Sequence, residues 1–167
     1  MDKRSLSESD ICDLFITPAI RRAAWDPIAQ IRREVTHTPG PVVVRGNVAS
    51  RNKKKKKLAD YVLSKEPGVP VAVVEAKDNS HTVSHGLQQA LGYAEIMDIP
   101  SAFSSNGDAF ASHNKVPASG ADIEAQLAME AFPGPDELWQ RYKAYRGIDD
   151  DEEELVLEPF YEVIHPL

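Results

Sequence analysis

The sequence has few of the residues that build disulfide frameworks, zinc clusters or membrane spans. Its single cysteine, Cys12, excludes an internal disulfide and any site made of several cysteines. No apolar run is long enough to cross a bilayer, and the polar residues 1–10 do not have the pattern of a signal peptide. These absences predict a soluble, cytoplasmic protein with no membrane partner.

Charge is negative overall but unevenly distributed along the chain. The net charge is −7, and all six residues from 149 to 154 are acidic. Five consecutive lysines form a basic run: Lys53, Lys54, Lys55, Lys56 and Lys57. Because charges farther apart than roughly 8–10 Å are screened, the local charge decides whether a polyanion can approach. We therefore expect the lysine run to contact DNA phosphates without sequence preference, and the alternative is a solvated loop.

The hydrophobic pattern predicts one α/β or α+β domain with a mixed central sheet. Two short helices are expected within 9–25, the first capped by Ser9 and the second beginning at Thr17. Later helices are expected from Ser80 or Thr82 to Met97 and over 136–146, with loops and a short helix over 114–136. Strands are expected over 28–35, 42–45, 58–63, 69–76, 101–105 and 108–112.

Charged residues occupy unexpected places in two of these strands. Asp60 interrupts the apolar segment 58–63, and Glu75 and Lys77 end the valine-rich segment 69–76. Residues i and i+2 of a strand point to the same face, so Glu75 and Lys77 project together. Burying such charges costs several kcal/mol unless they are paired or hold a metal ion.

These residue types suit phosphodiester hydrolysis. Two carboxylates, from Asp60 and Glu75, and the backbone carbonyl of Ala76 are hard oxygen ligands for Mg²⁺, for which Mn²⁺ can substitute. A lysine beside the ion, here Lys77, can orient the attacking water or stabilise the transition state. The alternative is a solvated ion pair between Glu75 and Lys77 at a strand end, because the tripeptide Glu-x-Lys is common.

The following helix adds Gln89 and Tyr93, which lie four residues apart on one helical face. With them, the chain resembles the PD-(D/E)xK nuclease superfamily. More narrowly, it is similar to the N-terminal nuclease domain of the R (HsdR) subunit of type I restriction enzymes, over about residues 10–145. The segments that carry this resemblance are ADYVL at 59–63, AVVEAK at 72–77, QALGYA at 89–94 and SSNGDAF at 104–110.

The resemblance implies a restriction-endonuclease-like core that cleaves double-stranded DNA with Mg²⁺. It implies Asp60, Glu75 and Lys77 as the catalytic set, and Gln89 and Tyr93 as residues that support cleavage and DNA engagement. In this family the complete subunit couples cleavage to ATP-driven translocation and assembles with methyltransferase and specificity subunits. Glu34 is a candidate additional acidic ligand, and its alternative role is a surface partner of Arg32 or Arg33.

The chain departs from the complete family subunit because it has no G-x-x-x-x-G-K-[ST] phosphate loop. ATP hydrolysis by these residues alone is therefore not expected. We predict an endonuclease domain over 1–147 and an acidic linker towards a motor region over 148–167. Two alternatives remain open at this stage: a non-catalytic docking module of the restriction complex, and a stand-alone repair nuclease of the same superfamily.

Overall fold

A computed structural model describes residues 2–37 and 57–153, which form a six-stranded sheet in the order β1-β2-β3-β4-β5-β6. The strands are β1 Ile31–His37, β2 Lys57–Ser64, β3 Pro70–Ala76, β4 Ser101–Ser105, β5 Ala109–Asn114 and β6 Glu124–Ala128. Neighbouring strands are antiparallel except β3 and β4, which are parallel. The predicted mixed sheet is thereby confirmed.

The parallel pair needs a crossover, and the helix α3 (Leu87–Met97) provides it. Residues 71–76 of β3 are all buried, as expected for a central strand covered on both faces. The predicted helix begins too early, because residues 83–86 form turns and the helix starts only at Leu87. The turn over 82–87 is bound from the neighbouring strand, where the Ser104 hydroxyl contacts Val83 and Gly86.

The N-terminal segment is one continuous helical run and not two separate helices. It consists of α1 (Glu8–Ile11), a π-helical turn (Cys12–Ile16) and α2 (Thr17–Arg22). The cap is Ser7, which forms a capping box with Asp10, and the predicted cap Ser9 lies inside the first turn. Pro18 has no backbone N–H to donate, and the preceding π-turn lets the helix continue across it.

The sheet has a large apolar core on one face and a small one on the other. The N-terminal helices and α4 (Pro135–Arg146) cover the first face, where Trp25 and Trp139 are each 2% exposed. Helix α3 covers the second face, where its residues Ala90, Tyr93 and Ala94 pack with Ile99 and with the small sheet residues Ala59, Val62, Val73 and Ala102. Small side chains let the helix approach the sheet closely there.

Two further sequence predictions differ from, or fall outside, the described structure. Strand β6 was not predicted, because its sequence Glu-Ala-Gln-Leu-Ala has little β-propensity, and it forms only by pairing with β5 at the edge of the sheet. The predicted strand over 42–45 lies outside the described residues. Over 2–37 and 57–153, no helix has the length and apolar character needed to cross a membrane.

The beginning of the acidic run contacts the last helix. Residues Asp150–Glu152 form a 3₁₀ turn, and the ammonium of Lys143 on α4 binds carboxylates of Asp150 and Glu153. The indole N–H of Trp139 donates a hydrogen bond to Glu153. At least this part of the predicted linker therefore packs on the domain, while the division at residue 147 stays a prediction.

Candidate active site

Asp60 on β2 and Glu75 on β3 face each other. At this point their carboxylates, in place of backbone carbonyls, accept hydrogen bonds from the backbone of the opposite strand. Regular pairing ends at Tyr61 and Val74. Beyond that pair, the Asp60 backbone N–H donates to Oε1 of Glu75 at 3.1 Å, and the Ala76 N–H donates to Oδ2 of Asp60 at 2.8 Å. Both carboxylates are thus held by the backbone of the opposite strand, which fixes their positions without any loop.

Glu75 lies in an environment that opposes its negative charge. Its side chain is 1% exposed. Burial raises the pKa of Glu75, and the charge of Asp60 beside it raises that pKa further. The Lys77 ammonium acts in the opposite direction but is a smaller influence. A buried pair of like charges is costly by itself and is stabilised when a cation binds between the two carboxylates.

Lys77 is half-buried immediately after β3, where its backbone N–H still bonds to the Ser105 carbonyl at 2.9 Å. Its Nζ donates to Oε1 of Gln89 at 3.2 Å, and Nε2 of Gln89 lies 3.5 Å from the hydroxyl of Tyr93. Burial raises the pKa of Tyr93, to which the charges of Glu75 and Asp60 also contribute. The structure therefore brings all five predicted residues of the catalytic and supporting sets to one site.

Comparisons with known proteins agree with this geometry. The endonuclease subunit of the type I restriction enzyme EcoAI from Escherichia coli is 40% identical over 158 residues, which are 95% of this chain and 19% of that subunit. A solved fragment from Vibrio vulnificus, assigned as an HsdR subunit of a type I restriction enzyme, matches with a TM-score of 0.67. That match has 32% identity and covers 88% of this chain and 27% of the other.

This chain is homologous to type I restriction HsdR subunits. The resemblance inferred from the motifs is thereby confirmed, and so is the restriction-endonuclease-like core. The chain spans about a fifth of the length of the curated relative. No protein-family model matches it.

The oxygen atoms of this HsdR-like site fit a small divalent cation. Asp60 and Glu75 offer carboxylates, and Ala76, which lies between Glu75 and Lys77 in the chain, is the candidate for a backbone carbonyl ligand. Such hard oxygen ligands suit Mg²⁺, which keeps several of its own waters and needs few protein ligands. Within 2–37 and 57–153, no group of three or more His, Cys, Asp and Glu side chains is arranged to hold a metal.

Glu34, the candidate additional ligand, lies on β1 at the level of Asp60. Its neighbours Arg33 and Val35 pair with Tyr61 and Ala59. Glu34 is exposed and has a φ of 53°, a left-handed conformation that is unusual for a residue with a side chain. The arrangement does not join it to Asp60 and Glu75 in a three-acid cluster. The alternative role of Glu34 was that of a surface partner of Arg32 or Arg33. The ion pair that the structure shows for Arg33 is with Asp13.

Sequence reasoning missed Glu8, which the fold brings towards the site from the N-terminal helix. Partial desolvation raises the pKa of Glu8 although the residue is exposed, the charge of Asp60 raises it further, and Lys77 lowers it. No sequence signal could have found this proximity, because an acid in the first turn of a helix normally serves the helix dipole. The predicted DNA contacts of Lys53, Lys54, Lys55 and Lys56 lie outside the described residues, as does the side chain of Lys57.

Proposed function

We propose that this chain is the Mg²⁺-dependent endonuclease domain of a type I restriction R subunit, with Asp60, Glu75 and Lys77 as its catalytic residues. The observation that carries the proposal is the acid pair on adjoining strands, made of the buried Glu75 and the partly buried Asp60, with Lys77 two residues after Glu75. The homology to a restriction endonuclease subunit supports it. The reaction is hydrolysis of a DNA phosphodiester bond.

Asp60 and Glu75 would hold the cation together with the Ala76 carbonyl. Their backbone hydrogen bonds prevent them from moving apart when charge builds up between them. When bound, Mg²⁺ supplies a Lewis acid that neutralises charge at the scissile phosphate. The two carboxylates alone would repel a phosphate, so the cation and Lys77 together make the site attractive to DNA.

Lys77 supplies positive charge from the protein itself, in addition to the charge of the cation. Its ammonium is half-buried and anchored by Gln89, so one donor is occupied and the others can face the phosphate or the attacking water. A compact ammonium acts as a point charge that favours the transition state, in which negative charge grows on the phosphate oxygens. Gln89 therefore acts on the reaction through the orientation of Lys77.

The substrate we propose is double-stranded DNA, and the assembly is a restriction complex with methyltransferase and specificity subunits. In that complex ATP would be used by a motor region of the complete subunit, since residues 1–167 contain no phosphate loop. Target choice would belong to the specificity subunit. The acid pair and lysine distinguish this proposal from a docking module, which needs no buried pair of like charges.

The test is nicking of supercoiled plasmid by the chain with Mg²⁺ or Mn²⁺, compared with Glu75→Ala and Lys77→Ala. We expect metal-dependent nicking that both substitutions abolish. Matched controls are Glu95→Gln on the exposed side of α3 and Lys115→Ala after β5, both exposed and both expected to cut as the unchanged chain does. Nicking that survives in both Glu75→Ala and Lys77→Ala would contradict the assignment.

Calorimetric titration with Mn²⁺ separates binding from cleavage. The unchanged chain should bind Mn²⁺, and Asp60→Asn should bind it much more weakly even if the isolated domain requires the complete complex to cut. Absence of both Mn²⁺ binding and nicking would favour the docking module. Nicking by the chain alone fits a stand-alone nuclease as well, and a motor region encoded immediately downstream in the complete reading frame would exclude that alternative.

A further inference from the structure

Ser104 lies beside the catalytic strand and binds the turn that leads into α3. It pairs with Glu75 across the parallel strands β3 and β4, and it is fully buried. Its hydroxyl accepts a hydrogen bond from the Gly86 N–H at 3.0 Å and donates one to the Val83 carbonyl at 2.8 Å. One side chain thus joins the strand next to Glu75 to the residue before the helix.

Gly86 brings the backbone before α3 close to the proposed catalytic residues Glu75 and Lys77. A Cβ at this position would lie 3.0 Å from Oγ of Ser104, 3.2 Å from Cβ of Glu75 and 3.4 Å from Cε of Lys77. The φ of Gly86 is −88°, which any residue can adopt. A larger residue is therefore disfavoured here by space and not by backbone conformation.

The position of the first turn of α3 determines the position of the Gln89 side chain. Gly86 precedes the helix and provides no side-chain cap, so the hydroxyl of Ser104 binds this end of the helix from another strand. Gln89 follows three residues later and accepts the hydrogen bond from Lys77 Nζ. A small displacement of the first turn would move Oε1 of Gln89 relative to the ammonium by a similar amount.

We propose that Ser104 is a positioning residue for the catalytic lysine: its hydroxyl, with the close approach of Gly86, holds α3 where Gln89 binds the Lys77 ammonium. This inference rests on the proposed function, in which Lys77 acts at the phosphate. It assigns to β4 a role in cleavage. The side chain responsible, that of Ser104, acts through α3 and not by touching the oxygen atoms of the cation ligands or DNA. The expected effect is on the rate and not on cation binding.

The experiment compares Ser104→Ala and Gly86→Ala with Gly92→Ala, a control in the same helix where an added Cβ meets nothing within 4 Å. Ser104→Ala and Gly86→Ala should each slow plasmid nicking by about 10-fold to 100-fold, because a misplacement of about 1 Å can cost a hundredfold. Calorimetric Mn²⁺ affinity of Ser104→Ala should stay that of the unchanged chain. Gly92→Ala should match the unchanged chain in both measurements.

Two further measurements separate positioning from a general loss of structure. If Ser104 acts through Gln89, then Ser104→Ala should add no further loss in a Gln89→Ala background. An additional loss of the full size in that background would overturn the proposal. In the metal-free protein, the NMR signals of the Gln89 side-chain amide should shift in Ser104→Ala and Gly86→Ala but not in Gly92→Ala.

The NMR measurement tests the inference even if the isolated chain does not cut DNA. Shifted Gln89 signals without any nicking would support the positioning role while the proposed function fails for the isolated domain. Unchanged Gln89 signals in both Ser104→Ala and Gly86→Ala would overturn the inference whatever the nicking assay shows.

Discussion

Glu75 and Lys143 are the two charged residues that are buried within residues 2–35 and 59–153, and their surroundings are opposite. Lys143 on α4 binds two carboxylates, those of Asp150 and Glu153. Glu75 has the carboxylate of Asp60 as its nearest charged neighbour across the strands, and Lys77 offsets that repulsion only in part. The fold therefore pairs the charge of Lys143 with opposite charges but leaves the charge of Glu75 next to a like charge.

The pKa directions express the same difference. The hydrogen bond to Asp150 raises the pKa of Lys143, which favours its charged form. Burial and Asp60 raise the pKa of Glu75, which disfavours its charged form. A fold keeps an unfavourable charge where a ligand relieves it, so the contrast separates a structural ion pair from a candidate metal site.

The largest expected effect comes from Glu75→Gln, which keeps the shape of the side chain and removes its charge. Cleavage should fall by about two orders of magnitude or more, because a catalytic cation contributes several kcal/mol and each ~1.4 kcal/mol is tenfold. The free energy of unfolding should rise by about 1–2 kcal/mol in metal-free buffer, because the amide can donate to Asp60 where a carboxylate repels it. Plasmid nicking and urea denaturation measure the two effects.

The gain in stability should depend on pH. A carboxyl whose pKa is raised in the folded state binds more protons there than in the unfolded chain. Its contribution is therefore fully present below the unfolded pKa and is lost as pH rises towards the raised value. The advantage of Glu75→Gln should grow as pH rises from 4.5, the ordinary pKa of a glutamate, to about 9, the raised pKa of Glu75. If the free energies of unfolding of Glu75→Gln and of the unchanged chain vary with pH in the same way, the charge of Glu75 is not unfavourable in the fold. Its contrast with Lys143 would then be lost.

Lys143→Met tests the other side of the comparison. Methionine fills a similar volume without charge, so Asp150 and Glu153 lose their shared partner while the packing against Trp139 is retained. The melting temperature should fall by a few degrees, and nicking and Mn²⁺ affinity should not change. A loss of cleavage in the folded variant would show that the acidic segment also serves the active site.

Sequence patterns predicted the strands of the site well because each carries its own local signal. The continuous valines of β3 and the acid within β2 are visible without knowledge of the partners, and the spacing of Gln89 and Tyr93 marks one helical face. These signals located the candidate catalytic and supporting residues, which the structure brings together.

Features that depend on distant partners could not be predicted in this way. Strand β6 exists because β5 offers an edge, and the late start of α3 depends on a hydroxyl from β4. The proximity of Glu8 to Asp60 depends on how the N-terminal helices cross the sheet, which no pattern within residues 2–22 reveals. Tertiary pairing overrides local propensity at each of these places.

Glu34→Gly measures a smaller effect and settles whether a third acid binds the cation. A left-handed conformation costs a residue with a side chain ~1–2 kcal/mol, and glycine loses ~0.5–1 kcal/mol through its greater freedom in the unfolded chain. Stability in urea should therefore rise by about 0.5–1 kcal/mol. The matched control is Ala24→Gly, which relieves a φ of 77° at the surface end of α2.

The cation measurement on the same variants decides the role of Glu34. Since Glu34 does not form a three-acid cluster with Asp60 and Glu75, Mn²⁺ affinity should be equal in Glu34→Gly, Ala24→Gly and the unchanged chain. A drop in affinity as large as that of Glu75→Gln would instead make Glu34 the third acidic ligand.

The smallest expected effect is that of Glu8→Gln, which removes an exposed negative charge near the same site. Because Glu8 is exposed to solvent, its charge should contribute only about 0.2–1 kcal/mol to cation binding, up to about fivefold in Kd. Mn²⁺ calorimetry at low and at high salt checks this, and the difference should shrink at high salt because surface interactions are screened. Glu95→Gln is the control for loss of one charge. An effect of Glu8→Gln that persists at high salt and matches that of Glu75→Gln would mean that Glu8 binds the cation directly, so that the unsatisfied charge at this site would be shared by three acids.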